Sequence, residues 1–294
     1  MSAALAFEVN DGRKTNQPIT LGLTEYRRIK TALANDAGIA LGDDKVSLVH
    51  ARLQKRLRKI GVTSFKDYCN LVESPGGNEE RKFMLNALTT NVTRFFREPH
   101  HFKHLLTTSL PPLVAKAKSG ARVRIWSGGC SSGQEPYSIA AVLLSLMPDA
   151  AKYNIKILAS DIDRNMIEKG RAGVYDASLM EHMPVKLKDK FFEASGDPRD
   201  RLYEAKDNIK SLIAFRELNL NAASWPMKGK FDIIFCRNTV IYFNAETQAK
   251  VWTRFKEHMH NGGYLYIGHS ERITGPSESV FAKTDTITTY QLTE

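Results

Sequence analysis

Val123-Arg-Ile-Trp-Ser-Gly-Gly-Cys-Ser-Ser-Gly133 is a short apolar run that passes straight into a loop of small residues, with a helical pattern after it. Small side chains let the backbone approach a ligand and leave free N–H groups at the start of the next helix. The glycine spacing is not G-x-G-x-x-G, which argues against a dinucleotide site. Further apolar runs follow at Ile155–Ala159, Ile213–Leu218, Phe231–Phe235 and Tyr264–Gly268. Helical stretches such as Ser138–Leu146, Arg164–Arg171 and Ala245–Met259 separate them. This alternation predicts an α/β fold, a parallel sheet with helices on both faces. Ligands of such sheets bind beyond the carboxyl ends of the strands. The second run ends in Ala159-Ser-Asp161-Ile-Asp163. A carboxylate there can accept both hydroxyls of a ribose, and Asp161 can equally be read as a helix N-cap.

Working outward, residues 22–88 read as helical throughout. Val46, Val49, Leu53, Leu57 and Ile60 recur at three- and four-residue steps, one buried helical stripe that Gly61 stops. Ser64 begins another helix, ending at Ser74-Pro-Gly-Gly, and a third runs from about Asn78 to Leu88. Residues 1–21 read as a flexible tail, 22–88 as a helical domain, 89–110 as a linker to the cleft, and 111–294 as the α/β domain. The stretch 175–214 is too long for a connection and has its own turn, so an inserted subdomain is expected. Phe281–Lys283 and Ile287–Leu292 predict a hairpin at the sheet edge.

The 294 residues hold no run of about 18 apolar residues, and Met1–Asn10 lacks a basic n-region, against a membrane span or signal peptide. The three cysteines, Cys69, Cys130 and Cys236, are scattered, which fits a reducing cytoplasm. Net charge is +10, calling for an acidic partner. Two runs carry no acid: Lys45–Lys59 with six cations and His101–Arg124 with five. Both can also be plain solvated faces.

The fourth strand ends in Phe235-Cys-Arg-Asn238, followed by Thr239-Val-Ile-Tyr242-Phe243. The Asn/Asp-Pro-Pro-aromatic loop usual in base-modifying N-methyltransferases is absent here. Cys236 sits in an apolar strand without a flanking base and reads as a core residue, not a nucleophile. Thr89-Thr-Asn-Val-Thr-Arg-Phe-Phe-Arg-Glu-Pro99 permits two readings. Phe95 and Phe96 form a stacking surface for nucleic acid, or they anchor the linker while Asn91, Thr93 and Arg97 face the cleft. His100 and His104 have i, i+4 spacing but no third ligand at metal-like spacing, so no metal is expected. His269 reads as structural support.

These motifs, with Trp126–Ala140 and Gly268-His-Ser-Glu271, make the chain resemble the CheR family of chemotaxis receptor methyltransferases from about residue 22 to 292. The resemblance implies an all-α N-terminal domain joined to a Rossmann-like class I methyltransferase domain carrying a small antiparallel β-subdomain. It implies S-adenosyl-L-methionine as cofactor, S-adenosyl-L-homocysteine as product, and protein-glutamate O-methylation of receptors giving γ-methyl esters. Cofactor contacts fall on Asn91, Thr93, Arg97, Glu135, Asp161, Asn219, Leu220, Arg237 and Asn238. Asp161 would take the ribose, Asn219-Leu220 would flank the adenine, and Arg97 and Tyr242 would lie near the methyl group as catalytic residues. Gln134 stands where many relatives have Glu. The turn Glu193–Arg201 has one glycine where relatives that dock on a receptor's C-terminal tail have several, which argues against tail docking.

A glutamate with an unperturbed pKa of about 4.3 is already a nucleophile at neutral pH. In-line transfer then needs no general base, and no His–Asp pair or lysine stands out as one. Lys45, Arg52, Lys55, Arg56 and Lys59, flanked by Arg58, form the basic face expected to dock glutamate-rich receptor helices. The rivals are a nucleic-acid methyltransferase, favoured by net charge, and a cofactor-binding sensor without turnover.

Overall fold

The computed structural model describes residues 19–293. The expected tail over 1–21 lies outside them except for its last three residues. Four helices come first: α1 (Leu23–Ala37), α2 (Val46–Lys59), α3 (Phe65–Glu73) and α4 (Asn78–Leu88). α1 stops where Gly38 turns left-handed at φ 72°. The expected α2 stripe buries Val49, Leu53 and Leu57, and Gly61 (φ 74°) follows its end. Ser64 caps α3, its hydroxyl accepting the Asp67 N–H at 3.1 Å.

The stretch read as a linker is helical from Pro99 on. α5 (Pro99–His104) continues through a π turn, Leu105–Ser109, into α6 (Leu110–Lys118). Pro111 and Pro112 cannot donate to the carbonyls one turn back, and the Leu110 N–H reaches Leu105 O instead. Sequence periodicity alone missed this helix.

The rest is the α/β domain. In chain order it holds β1 (Val123–Gly128), α7 (Gln134–Leu146), β2 (Ile155–Asp161), α8 (Arg164–Ala172), β3 (Val174–Asp176), α9 (Val185–Phe191), β4 (Phe192–Ser195) and β5 (Leu202–Ala205). Then come α10 (Asp207–Lys210), β6 (Ile213–Glu217), β7 (Phe231–Cys236), α11 (Ala245–Glu257), β8 (Met259–Ile267), β9 (Phe281–Lys283) and β10 (Thr289–Leu292). The large sheet has the order β6-β2-β1-β7-β8-β10-β9. Its first five strands are parallel, and the expected hairpin closes it antiparallel. β3, β5 and β4 form the expected small antiparallel sheet. The order reverses between β1 and β7, which is where a ligand crevice opens.

Each face of the large sheet carries its own core. On one, α7 residues pack with Phe95, Tyr175 and Phe192. On the other, Trp126, Trp225, Phe255 and Trp252 are continuous with the apolar stripes of α1–α4. The helical domain therefore leans on the carboxyl end of the sheet, and the cleft lies between them. Among the described residues no helix is long and apolar enough to cross a membrane.

Candidate active site

The glycine loop after β1 folds back onto the end of β2. Gly129 and Cys130 N–H groups donate to Ser160 O at 2.8 and 2.9 Å, and the Trp126 indole donates to the Ser160 hydroxyl at 2.8 Å. Gly129, Ser131 and Gly133 all have positive φ (73°, 49° and 96°). A Cβ on Gly129 would sit 2.1 Å from Thr239 Oγ1, so only glycine fits where the loop meets the end of β7.

Asp161 is nearly buried, and its carboxylate accepts the N–H groups of Ser131 (2.7 Å) and Asp163 (2.9 Å). Burial pushes this carboxyl above the ordinary range, against the pull of those N–H donors. A carboxylate has about four acceptor positions, so these N–H donors leave room for a hydroxyl. The N-cap alternative belongs to Asp163, which caps α8 through the Asn165 N–H at 2.9 Å. Asp163 also accepts from the Asn91 side chain at 2.9 Å, tying the segment before α5 to the end of β2.

Arg237 is a buried hub. Its Nε donates to Glu135 at 2.7 Å, while Nη1 donates to the Arg97 carbonyl and to His101 Nδ1 (3.2 Å). Glu135 also accepts the Ser127 hydroxyl at 2.7 Å. Burial and the adjacent guanidinium drive the His101 pKa down to about 3, so this imidazole is neutral. Arg97 itself lines the cavity, its guanidinium donating to Val92 O at 3.1 Å. Asn219 donates to Asp36 O at 2.6 Å, joining the end of α1 to the cleft.

Asn238 holds φ 57°, and the loop from it to Tyr242 is fixed by Glu271. One Glu271 oxygen accepts N–H groups of Thr239, Val240 and Ile241 (3.0, 2.9 and 3.3 Å). The other accepts those of Asn238 (3.0 Å) and Gly268 (2.5 Å). Tyr242 O in turn accepts the Ala40 N–H at 2.7 Å, a clasp onto the helical domain.

All nine expected cofactor contacts and Tyr242 line a single cavity of about 210 Å³. Ile39, Leu41 and Leu48 close its helical-domain side, and none of these was read from the sequence. Nor were the supports Glu98, His101 and Glu271. The Gly38–Gly42 bracket and the Gly268-His-Ser-Glu271 motif were the available signals.

Several sequence expectations change. Phe95 is fully buried, edge-on to Tyr175 and Phe192, and Phe96 packs on Phe102, so the nucleic-acid stacking surface is replaced by an anchor. Cys236 is buried in β7 with its thiol pushed well up, consistent with a core residue. The basic face is smaller than expected. Lys45 precedes α2 and pairs with Asp44; Arg52 donates to Leu88 O and Thr89 O at 3.0 and 2.8 Å. Arg56 grips buried Glu80 and lies on the Phe83 ring at 3.9 Å. The side of α2 facing α4 thus uses its arginines internally, and Lys55, Arg58 and Lys59 remain exposed. His104 bonds the Tyr266 hydroxyl at 2.8 Å, while Glu98, His100 and His101 cluster instead. The Arg237 guanidinium occupies His101 Nδ1, so this cluster is read as part of the buried network. His269 supports Glu98 through its ring at 3.0 Å.

The model described as CheR methyltransferase, SAM binding domain, matches residues 91–289, and that described as the CheR methyltransferase all-alpha domain matches residues 24–89. The chain belongs to the CheR methyltransferase family. It is 51% identical over 259 residues to a probable chemotaxis protein methyltransferase of Rhizobium etli, covering 88% of this chain and 96% of the relative. It is 37% identical over 259 residues to the chemotaxis protein methyltransferase of Escherichia coli K12, covering 87% of each. As a CheR methyltransferase it binds S-adenosylmethionine, and the cavity fits that group. Gly129 leaves room for close backbone approach, Asp161 can still accept a hydroxyl, and Ile162, Leu218 and Leu220 form an apolar wall.

Proposed function

We propose that this chain methylates glutamate side chains on the cytoplasmic helical signalling domain of chemotaxis receptors, giving γ-glutamyl methyl esters. The observation that carries the reading is the grouping of Arg97 and Tyr242 with Asp161, Asn238 and the glycine loop around one cavity. Asn91, Thr93, Glu135, Asp161, Asn219, Leu220, Arg237 and Asn238 would hold S-adenosylmethionine, which when bound supplies an electrophilic methyl group on sulfur. The substrate glutamate is ionised at neutral pH, so no proton has to be removed and no general base is required. What the chain must do is exclude water and hold one carboxylate oxygen in line. Positioning of this kind is worth roughly 7–11 kcal/mol of barrier. Arg97 and Tyr242 hold that carboxylate, and the helical domain brings the receptor helix to the cleft mouth.

Lys55, Arg58 and Lys59 on the exposed side of α2 supply the electrostatic part of docking; Arg52 and Arg56 maintain the domain that presents them. Mass spectrometry of a receptor cytoplasmic fragment incubated with enzyme and cofactor tests the function. The expected result is one methyl group added at glutamates of the helical bundle. Methylation confined to lysine, or to a nucleic acid offered in competition, would refute it.

A further inference from the structure

The run from His101 to Arg124 has no acid, and beyond His101, which bonds Arg237, none of it lines the cofactor cleft. The fold places its end at the amino-terminal edge of the large sheet, opposite the cleft. β1 starts at Val123, β2 at Ile155 and β7 at Phe231, side by side. Arg124 lies opposite Lys156 in the β1–β2 register. Arg122 lies over Gly229, where a Cβ would meet its Nη2 at 2.3 Å, so it sits between Lys228 and Lys230. Lys118, at the end of α6, and Lys152, just before β2, extend the row.

Three cations at this end have internal work: Lys116 pairs with buried Asp232 at 2.8 Å, Arg124 donates to Asn154, and Lys156 donates to Ser211 O at 2.8 Å. Lys118, Arg122, Lys152, Lys228 and Lys230 are exposed, and none is in an ion pair among the described residues. Exposed carboxylates stand near two of them: Asp149 close to Lys152 in the chain, and Glu257 beside His258, whose carbonyl accepts the Phe231 N–H at the start of β7. On α2, by contrast, Arg52 and Arg56 are used internally. The freest part of the +10 charge therefore faces away from the active site.

From this row we infer a second docking surface, for a further acidic receptor helix bundle beside the one being methylated; the inference rests on the function proposed above. Neighbouring strands are about 4.8 Å apart, and carboxylates at i, i+4 on a helix are about 5–6 Å apart. Lys152, Arg122 and Lys230 stand just before the neighbouring strands β2, β1 and β7, so their points of attachment step across the sheet edge at a spacing comparable to a glutamate stripe along a helix. Among the described residues no fully exposed aromatic ring stands at this end, and Tyr153 beside Lys152 is half-buried, which favours an acidic protein over single-stranded nucleic acid. An enzyme held this way by one bundle keeps its cleft free for the next.

The test uses the full chain, a soluble receptor cytoplasmic fragment and the variant K118E/R122E/K228E/K230E. Sedimentation at low ionic strength is expected to give two fragments per wild-type enzyme and one per variant. The second affinity should fall about tenfold or more, while methylation of the isolated fragment stays unchanged. A wild type that methylates the fragment but binds only one copy overturns the inference alone. Equal stoichiometry for wild type and variant does the same. Capture of anionic phospholipid vesicles or duplex RNA by the row, with one fragment bound, reassigns it and also overturns the inference. A wild type that does not methylate the fragment overturns the function and the inference with it.

Discussion

Replacing Glu271 with glutamine changes one oxygen to an NH2 group in a site where five backbone N–H groups converge. The amide oxygen satisfies most donors if it takes the position facing Thr239, Val240 and Ile241. The NH2 group then faces the N–H groups of Asn238 and Gly268, donor against donor. Two buried N–H groups lose their acceptor, at about 1–3 kcal/mol each, so about 2–6 kcal/mol is at stake. That is large beside a total stability of about 5–15 kcal/mol, yet the strain falls on one loop. The Asn238–Tyr242 segment should therefore rearrange before the whole fold is lost. Calorimetric titration with S-adenosylhomocysteine reads the loss of Asn238, and kcat reads the loss of Tyr242. The expected result for E271Q is affinity at least about 30-fold weaker, from 2 kcal/mol at 1.4 kcal/mol per decade, with kcat also reduced. E271D keeps the charge with a shorter reach and should fall between. A folded E271Q protein with native affinity and native kcat would refute the reasoning.

The Gly129→Ala variant meets both a left-handed φ and Thr239 Oγ1 at 2.1 Å. Cofactor affinity should drop about tenfold or more, and adding Thr239→Ala should restore part but not all of it, since the backbone cost of about 1–2 kcal/mol remains. Arg97→Ala should lower kcat roughly a hundredfold or more in single-turnover methyl transfer; near-native turnover removes its proposed role. His101 has a folded pKa near 3 against 6.5 for the free side chain. Its stabilisation is thus complete above pH 6.5 and is lost as pH falls toward 3, about 2 kcal/mol by pH 5 at about 1.4 kcal/mol per unit. Urea unfolding at pH 7 and pH 5 should show this loss, and His101→Asn, which keeps an acceptor near Nδ1, should flatten it.

The parallel sheet was legible because strand and helix periods alternate cleanly, and the inserted β-subdomain because a gap near forty residues demands structure. The α2 stripe and the Ser64 cap were readable for the same local reasons. Tertiary packing was not. α5 and α6 escaped because two prolines interrupt the helical signal. Asp161 and Asp163 are both carboxylates near a helix start, and only the fold assigns the cap to Asp163. Arg52 and Arg56 look solvent-facing on a helical wheel, because no wheel reveals Glu80 or the α4 carbonyls beside them. Glu271 lies in a sequence motif, but five N–H groups from two separate loops cannot be read from four consecutive residues.

The most direct measurement of the proposed chemistry uses methyl-labelled S-adenosylmethionine, receptor membranes and RNA in one incubation, followed by mild base. A carboxyl ester hydrolyses, so volatile labelled methanol from the protein fraction is the expected result. Base-stable label in protein or in RNA, or no label at all, would contradict glutamate O-methylation by this chain.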